Sequence, residues 1–256
     1  MNKRILDLVV KHREELNANY VLLKATQNDK LPEMLPGQFA QLRVDDEPAV
    51  MLRRPISINY VDYDKNEVWF LIQIAGKGTA KLAETKVGET LNAILPLGST
   101  FTLPEDTTQS LLLVGGGVGV APLLFLGGEL KKRGFNPIFL LGARTHKDLL
   151  QLSDFERFGQ VLTTTEDGSH GEKGFVTAHS VLQEASFDMI YTCGPRPMMK
   201  AVAALAKQKG IECEVSLENM MACGIGACLC CVEETTRGNV CTCTEGPVFN
   251  TKELLW

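Results

Sequence analysis

Apolar and polar positions alternate in short runs through the first hundred residues, as in Gln38-Phe39-Ala40-Gln41-Leu42-Arg43-Val44 and Glu67-Val68-Trp69-Phe70-Leu71-Ile72-Gln73-Ile74. A period of two turns one side chain toward a core and the next toward solvent, so the pattern predicts short strands closing into an antiparallel barrel. The opening stretch Met1–Lys11 predicts a first strand; it is broken by Asp7 and too short for the apolar segment of an export signal. One helical pattern interrupts the strands, beginning at Gly78-Thr79 and running to Glu84, with Thr79 as candidate N-cap.

After Pro104-Glu105-Asp106-Thr107-Thr108 the rhythm changes to strands alternating with helices: a strand at Leu111–Val114, a helix at Val120–Arg133, strands at Pro137–Leu141 and Met189–Thr192, and a helix at Pro197–Lys209. That alternation predicts a doubly wound parallel sheet covered on both faces. The run from Leu111 to Gly128 is long and apolar, but its six glycines and Pro122 suit a buried strand, a turn and a packed helix better than a membrane span. From Met220 onward no period would bury a core, so the order of the tail is expected to come from something bound. Three units are expected: a barrel over 1–103, an α/β domain over 104–216 and a small third domain over 217–256. No internal repeat or low-complexity segment is visible.

Composition narrows the function. With 256 residues, 45% of them hydrophobic, the chain can bury a sizeable core. A net charge of −5 leaves no excess of Lys and Arg for a phosphate backbone, which excludes nucleic acid as an expected partner. Of eight cysteines, Cys223, Cys228, Cys230, Cys231, Cys241 and Cys243 fall near the C-terminus. Clustered thiols in a chain with no export signal and no need of disulfide staples imply a metal site held reduced in the cytosol.

The strongest motif is Cys223-Gly224-Ile225-Gly226-Ala227-Cys228-Leu229-Cys230-Cys231, followed by Cys243 ahead of Thr244-Glu245-Gly246-Pro247. The C-x4-C-x2-C…C order matches the ligand spacing of plant-type [2Fe–2S] sites, and the small residues let backbone N–H groups approach anionic sulfur. A structural zinc site usually brings its ligands as two separated pairs, so three on one loop favour the cluster. Spacing leaves Cys241 and Cys243 both open as fourth ligand. The apolar residues Met220, Met221, Val248 and Phe249 flank the ligands and are the candidate docking surface for a partner.

Two further signals involve phosphate. The Gly-rich turn of Gly115, Gly116, Gly117 and Gly119, with Pro122 opening a helix, allows close backbone approach to a pyrophosphate; a tight structural turn is its bland reading. Cys193-Gly194-Pro195 would sit at the C-terminal edge of the same sheet, where open α/β folds bind ligands. In the barrel, Arg53-Arg54-Pro55-Ile56-Ser57 and Gly76-Lys77-Gly78-Thr79 offer a guanidinium, a hydroxyl and a helix start. Cys213 reads as a packed thiol.

In this order, the motifs resemble the ferredoxin–NADP⁺ reductase superfamily. The stretches Ser216–Cys228 and Cys243-Thr244-Glu245-Gly246-Pro247-Val248-Phe249 resemble the electron-transfer subunits of class B dihydroorotate dehydrogenases. The resemblance implies FAD on Arg54, Pro55, Ile56, Ser57, Leu71, Ile72, Gln73, Gly78 and Thr79. It implies NAD at the two glycine turns, and a [2Fe–2S] cluster on Cys223, Cys228, Cys231 and Cys243, choosing Cys243 by its position before Gly-Pro-Val-Phe. It implies electron flow from FMN in a separate catalytic subunit through the cluster and FAD to NAD⁺, in a heterotetramer of two copies of each chain in the cytoplasm, in pyrimidine biosynthesis. The alternative is a stand-alone NAD(P)H reductase feeding another oxidoreductase. Asn219 stands where the family commonly has Arg, Leu95-Pro96-Leu97-Gly98 lacks the usual first Gly, and Cys230 and Cys241 are additional.

Overall fold

The computed structural model describes residues 3–256, so Met1 and Asn2 of the expected first strand lie outside the described residues. Seven strands, β1 (Arg4–Asn17), β2 (Tyr20–Thr26), β3 (Phe39–Leu42), β4 (Arg54–Ser57), β5 (Tyr60–Asp62), β6 (Glu67–Gln73) and β7 (Thr90–Leu97), make one sheet in the order β4-β3-β7-β1-β2-β6-β5. Every pairing in it is antiparallel. Alternate residues Leu8 and Val10 on β1 are fully buried, as the period of two requires, whereas β3 is buried on both faces, from Phe39 to Leu42. Helix α1 (Lys77–Ala83) begins one residue before the expected start, with Gly76 as N-cap. Thr79 is the third helical residue and not the cap. Its hydroxyl reaches back to accept the backbone N–H groups of Ala75 (2.9 Å) and Gly76 (3.1 Å), which holds the entry to the helix from inside.

The second half contains β8 (Leu111–Gly116), α2 (Ala121–Lys132), β9 (Ile138–Ala143), α3 (Leu152–Glu156), β10 (Gln160–Thr165), β11 (Glu172–Lys173), α4 (Val181–Glu184), β12 (Met189–Cys193), α5 (Arg196–Lys209) and β13 (Glu212–Ser216). The tail adds a hairpin of β14 (Val232–Thr235) and β15 (Gly238–Cys241), then β16 (Val248–Asn250). The sheet runs β11-β10-β9-β8-β12-β13-β16, parallel except for β16. Among the described residues no helix is long and apolar enough to cross a membrane.

The two halves are welded. Tyr60 of the barrel stacks on Phe158 at 5.6 Å and meets Phe125 of α2 edge-on at 6.0 Å. Beside them the fully buried Asn59 exchanges two 3.1 Å hydrogen bonds with Gln151 and donates a third to the Ala121 carbonyl.

The tail departs from expectation. It does bury apolar side chains, in a core shared with the α/β half: Phe249 pairs with Val215 across β16 and β13 and packs with Met199 of α5, Leu217 and Leu254. The sequence hid this because three residues of strand carry no visible period. Pro247 and Val248 also press onto the barrel, where a Cβ on Gly98 would fall 2.5 Å from Pro247 Cδ and one on Gly37 would fall 2.7 Å from Val248 Cγ2. The tail therefore clasps both halves.

Candidate functional site

The flavin motif is assembled by β4 and α1. Arg54 lies against Gly78 so closely that a Cβ there would stand 2.4 Å from its Nε. The two motifs, 24 residues apart in sequence, are thus one surface. Arg54 bonds only to the carbonyls of Leu52 and Arg53 and makes no ion pair among the described residues, leaving guanidinium N–H groups for an anion. Arg53 does the opposite, turning inward to the carbonyls of Gln41 (3.1 Å) and Asn92 (3.0 Å) and to the Asn92 side chain. Burial lowers its pKa from the ordinary arginine value. Leu71 and Ile72 bury their side chains, so they can offer a flavin only main-chain groups. Main-chain groups alternate in direction, so Ile72 turns its own to Val21 of β2 while those of Leu71 and Gln73 face the side that β5 leaves unpaired beyond Trp69. Gln73 follows and donates to the Tyr20 hydroxyl at 3.2 Å.

A cavity of about 740 Å³ opens where the ends of β8, β9, β10 and β12 face the barrel. Its position at the C-terminal edge of the parallel sheet is where such folds bind ligands. Gly116, Gly117 and Pro195 line it. Gly115, Gly119, Pro122, Cys193 and Gly194 do not; they pack behind it. A Cβ on Gly119 would come within 2.4 Å of Gly194 Cα, so this pair of glycines lets the two turns touch. Cys193 is buried, and burial pushes its thiol well above the usual range.

The sequence reading missed Glu218, which lines the same cavity within 4.0 Å of Cys193 Sγ. Its side chain stays open to solvent in the cavity, yet desolvation by the surrounding walls raises its pKa above the usual carboxylate range. Its place just beyond β13, at the same sheet edge, was the available signal. Arg144 and Tyr20 also line this space.

The cysteine loop lies against the barrel. Cys231 and Cys243 are buried among Phe39 of β3 and Leu97 of β7, while Cys228 and Cys230 are exposed. Among the described residues no group of three or more His, Cys, Asp or Glu side chains is gathered for a single metal ion. Cys223 neighbours Cys228, and Cys231 neighbours both Cys241 and Cys243. A two-iron cluster takes two protein ligands on each iron, so one pair can come from the loop and the other from Cys231 with one of its two neighbours. Backbone N–H groups already point at sulfur, from Gly226 to Cys243 (3.1 Å), Ile225 to Cys223 (3.4 Å) and Cys243 to Cys231 (3.4 Å). The first of these rests on a left-handed backbone at Gly226, φ +85°. Ile225 N–H holds the Cys223 thiol down to about 6, so the loop favours the thiolate that binds iron. Cys241 also reaches Cys231 but receives no such N–H, and Cys230 turns away to the Met220 carbonyl at 3.7 Å. Asn219 donates to the buried carboxylate of Glu233 (2.9 Å), which also pairs with Arg196 and so ties the hairpin to α5.

The expected docking surface is corrected. Val248 and Phe249 are 7% and 3% exposed because β16 is part of the sheet, and Met221 is half-buried. The apolar side chains open to solvent around the cysteines are Met220 (84%), Leu229 (65%), Ile225 (47%) and Val232 (39%).

Barrel, α/β cavity and cysteine loop together define an NAD-linked flavin and iron–sulfur oxidoreductase of the ferredoxin–NADP reductase type. Residues 218–255 match the iron-sulfur cluster binding domain of dihydroorotate dehydrogenase B, and residues 113–204 match the oxidoreductase NAD-binding domain. The chain is 38% identical over 257 residues to the electron transfer subunit of dihydroorotate dehydrogenase B (NAD(+)) from Bacillus cereus (strain B4264), covering 97% of this chain and 98% of that one. It is 40% identical to the subunit of the same name from Shouchella clausii (strain KSM-K16) over 225 residues, 86% of each. Among solved structures, the NADH-dependent reduced ferredoxin-NADP oxidoreductase superposes with a TM-score of 0.87 at 29% identity, covering 97% of this chain and 90% of that one. The chain belongs to the family of dihydroorotate dehydrogenase B electron transfer subunits. These relatives favour the subunit reading over a stand-alone reductase.

Proposed function

We propose that this chain carries electrons from the FMN of a separate dihydroorotate-oxidising subunit, through a [2Fe–2S] cluster and FAD, to NAD⁺, in a cytoplasmic heterotetramer of two copies of each subunit. The observation that carries this reading is the adjacency of the three sites. The cysteine loop packs on β3, the neighbouring strand β4 bears Arg54 to Ser57, and the cavity begins where β6 ends at Gln73. When bound, the cluster supplies one-electron exchange, FAD links one- and two-electron steps, and NAD⁺ takes up hydride.

The chain's own residues hold and order these groups. Cys223, Cys228, Cys231 and Cys243 ligate the cluster. Arg54 and the start of α1 at Gly78 and Thr79 neutralise the FAD pyrophosphate, while Pro55, Ile56, Ser57 and the free edge of Leu71 to Gln73 contact the flavin. Gly116, Gly117 and Pro195 admit NAD to the cavity; Gly115, Gly119, Pro122, Cys193 and Gly194 shape its wall. No side chain is needed as acid or base. The units that do this are 1–103, 104–216 and 217–256, with β16 returning from the third to the sheet of the second.

The test is reconstitution. The chain purified without oxygen should reduce artificial acceptors with NADH and leave dihydroorotate untouched, and adding the FMN-bearing subunit should produce dihydroorotate-dependent NAD⁺ reduction. Dihydroorotate oxidation by the single chain, or a mixture that never reduces NAD⁺, would overturn the assignment.

A further inference from the structure

Strand β3 separates the cysteine loop from the strand that bears Arg54 to Ser57. Its residues 39 and 41 share one face, and on that face Phe39 packs against Cys231 and Cys243. Gln41 is 0% exposed, yet neither Oε1 nor Nε2 has a hydrogen-bond partner among the described residues. A Cβ on Gly224 would stand 2.5 Å from Gln41 Nε2 and 2.6 Å from its Cγ, so the amide lies directly under the loop between Cys223 and Cys228. Buried amides are almost always paired, because removing one from water without a new partner is unfavourable. Nothing in barrel packing calls for an amide here. The hydroxyl of Thr242, also 0% exposed and set between Cys241 and Cys243, is a second orphan in the same region. Two unpartnered polar groups around one set of thiols mark a place where something bound completes the hydrogen bonding.

We propose that Gln41 is a positioning residue for the iron–sulfur cluster: its side-chain N–H donates to cluster sulfur, seats the Cys223–Cys228 loop on the barrel and raises the cluster's reduction potential. This rests on the reading that Cys223, Cys228, Cys231 and Cys243 hold the cluster. The direction follows from charge. One-electron reduction makes the sulfurs more negative, so a donor stabilises the reduced form more than the oxidised one. The same residue is built into the flavin side, since Gln41 pairs with Pro55 of β4 and its carbonyl accepts from Arg53 at 3.1 Å. One rigid residue thus fixes the spacing between cluster loop and flavin strand.

The experiment uses the anaerobically purified full chain with cluster and FAD, carrying ¹⁵N only in glutamine side-chain amides. Pulsed EPR of the reduced cluster should detect a ¹⁵N coupling that disappears in Gln41→Glu. Redox titration of Gln41→Leu should show a lower cluster potential, with iron, sulfide and flavin content and the FAD potential unchanged. A normal cluster without ¹⁵N coupling, or a Gln41→Leu cluster at the wild-type potential, would overturn the proposal. If Gln41→Leu assembles no cluster, the coupling in the unaltered chain decides. A chain that holds no iron–sulfur cluster at all would instead defeat the reading of the four cysteines.

Discussion

Arg53 and Arg54 are adjacent in sequence and face opposite surroundings, which decides what each can do. Arg53 spends its donors on the barrel, bridging Gln41 and Asn92, whereas Arg54 keeps donors open above Gly78. A charge-assisted hydrogen bond to phosphate contributes about 1.5–3 kcal/mol, so Arg54→Ala should weaken FAD retention roughly ten- to a hundredfold. Gly78→Val should act similarly by a different route, because its side chain would occupy the space of the Arg54 guanidinium. Flavin content after gel filtration checks both, and full occupancy in either variant would place FAD elsewhere. The cysteines divide in the same manner. Cys243 is buried and receives the Gly226 N–H, while Cys241 is half-buried and Cys230 exposed. Cys243→Ser should lose or destabilise the cluster with FAD largely retained, since a hydroxyl is a poorer ligand for iron in such a site than thiolate. Cys241→Ser and Cys230→Ser should keep iron and acid-labile sulfide at the unaltered level. Loss in the Cys241 variant with retention in the Cys243 variant would exchange the ligands.

The elements differ in how far they could be read from the chain. Strands β1, β3 and β6 of the barrel and β8, α2, β9, β12 and α5 of the second half were legible as apolar runs or helical spacing, whereas β10, β13, α3 and α4 are too short or too polar to stand out, and β6 proves buried on both faces rather than with a period of two. The pairing of Arg54 with Gly78 was legible as co-occurrence, though only the fold shows that they touch. Strand β16 was not legible. Its burial comes from pairing with β13 and from the glycines at 37 and 98, which lie far away in sequence. Glu218 escaped for the same reason: nothing in a lone acid after a strand shows that it lines a cavity until the fold brings the ends of β8, β9 and β10 beside it. This changes what a substitution at Phe249 means. Phe249→Asp places a charge where a ring is 3% exposed, and truncating a buried Phe alone removes about 3–5 kcal/mol against a typical total of 5–15. The variant should therefore unfold at clearly lower temperature as an isolated chain, before any partner is added. A melting temperature equal to that of the unaltered protein would contradict the buried placement of β16.

At the scale of the whole molecule, the three candidate sites adjoin one another and one of them lies at the surface. The cavity lies between barrel and sheet, the Arg54 surface on β4 and α1, and the cysteine loop on β3 and β7, where Cys228 and Leu229 meet solvent. On the proposed electron route, a catalytic partner approaches from that side. The side chains presented there are Met220, Leu229, Ile225 and Val232, a grouping of exposed apolar residues that in a soluble protein marks an interaction site. Leu229 is the discriminating one: it is 65% exposed, packs against no core cluster among the described residues, and sits between a ligand candidate and Cys230 with a left-handed backbone, φ +56°. Leu229→Asp should leave the fold, flavin and cluster intact while weakening assembly with the FMN-bearing subunit by roughly tenfold or more, the effect of losing an apolar contact of about 1.5 kcal/mol and desolvating a carboxylate. Two activities then separate. NADH-dependent reduction of an artificial acceptor by the single chain should be unchanged, because that route uses only the cavity and the barrel. Dihydroorotate-dependent NAD⁺ reduction at limiting partner concentration should fall and recover as the partner is raised. A variant that assembles with unchanged affinity would move the docking face away from the cysteine loop, and electrons would then have to enter this chain by a path that does not begin at those thiols.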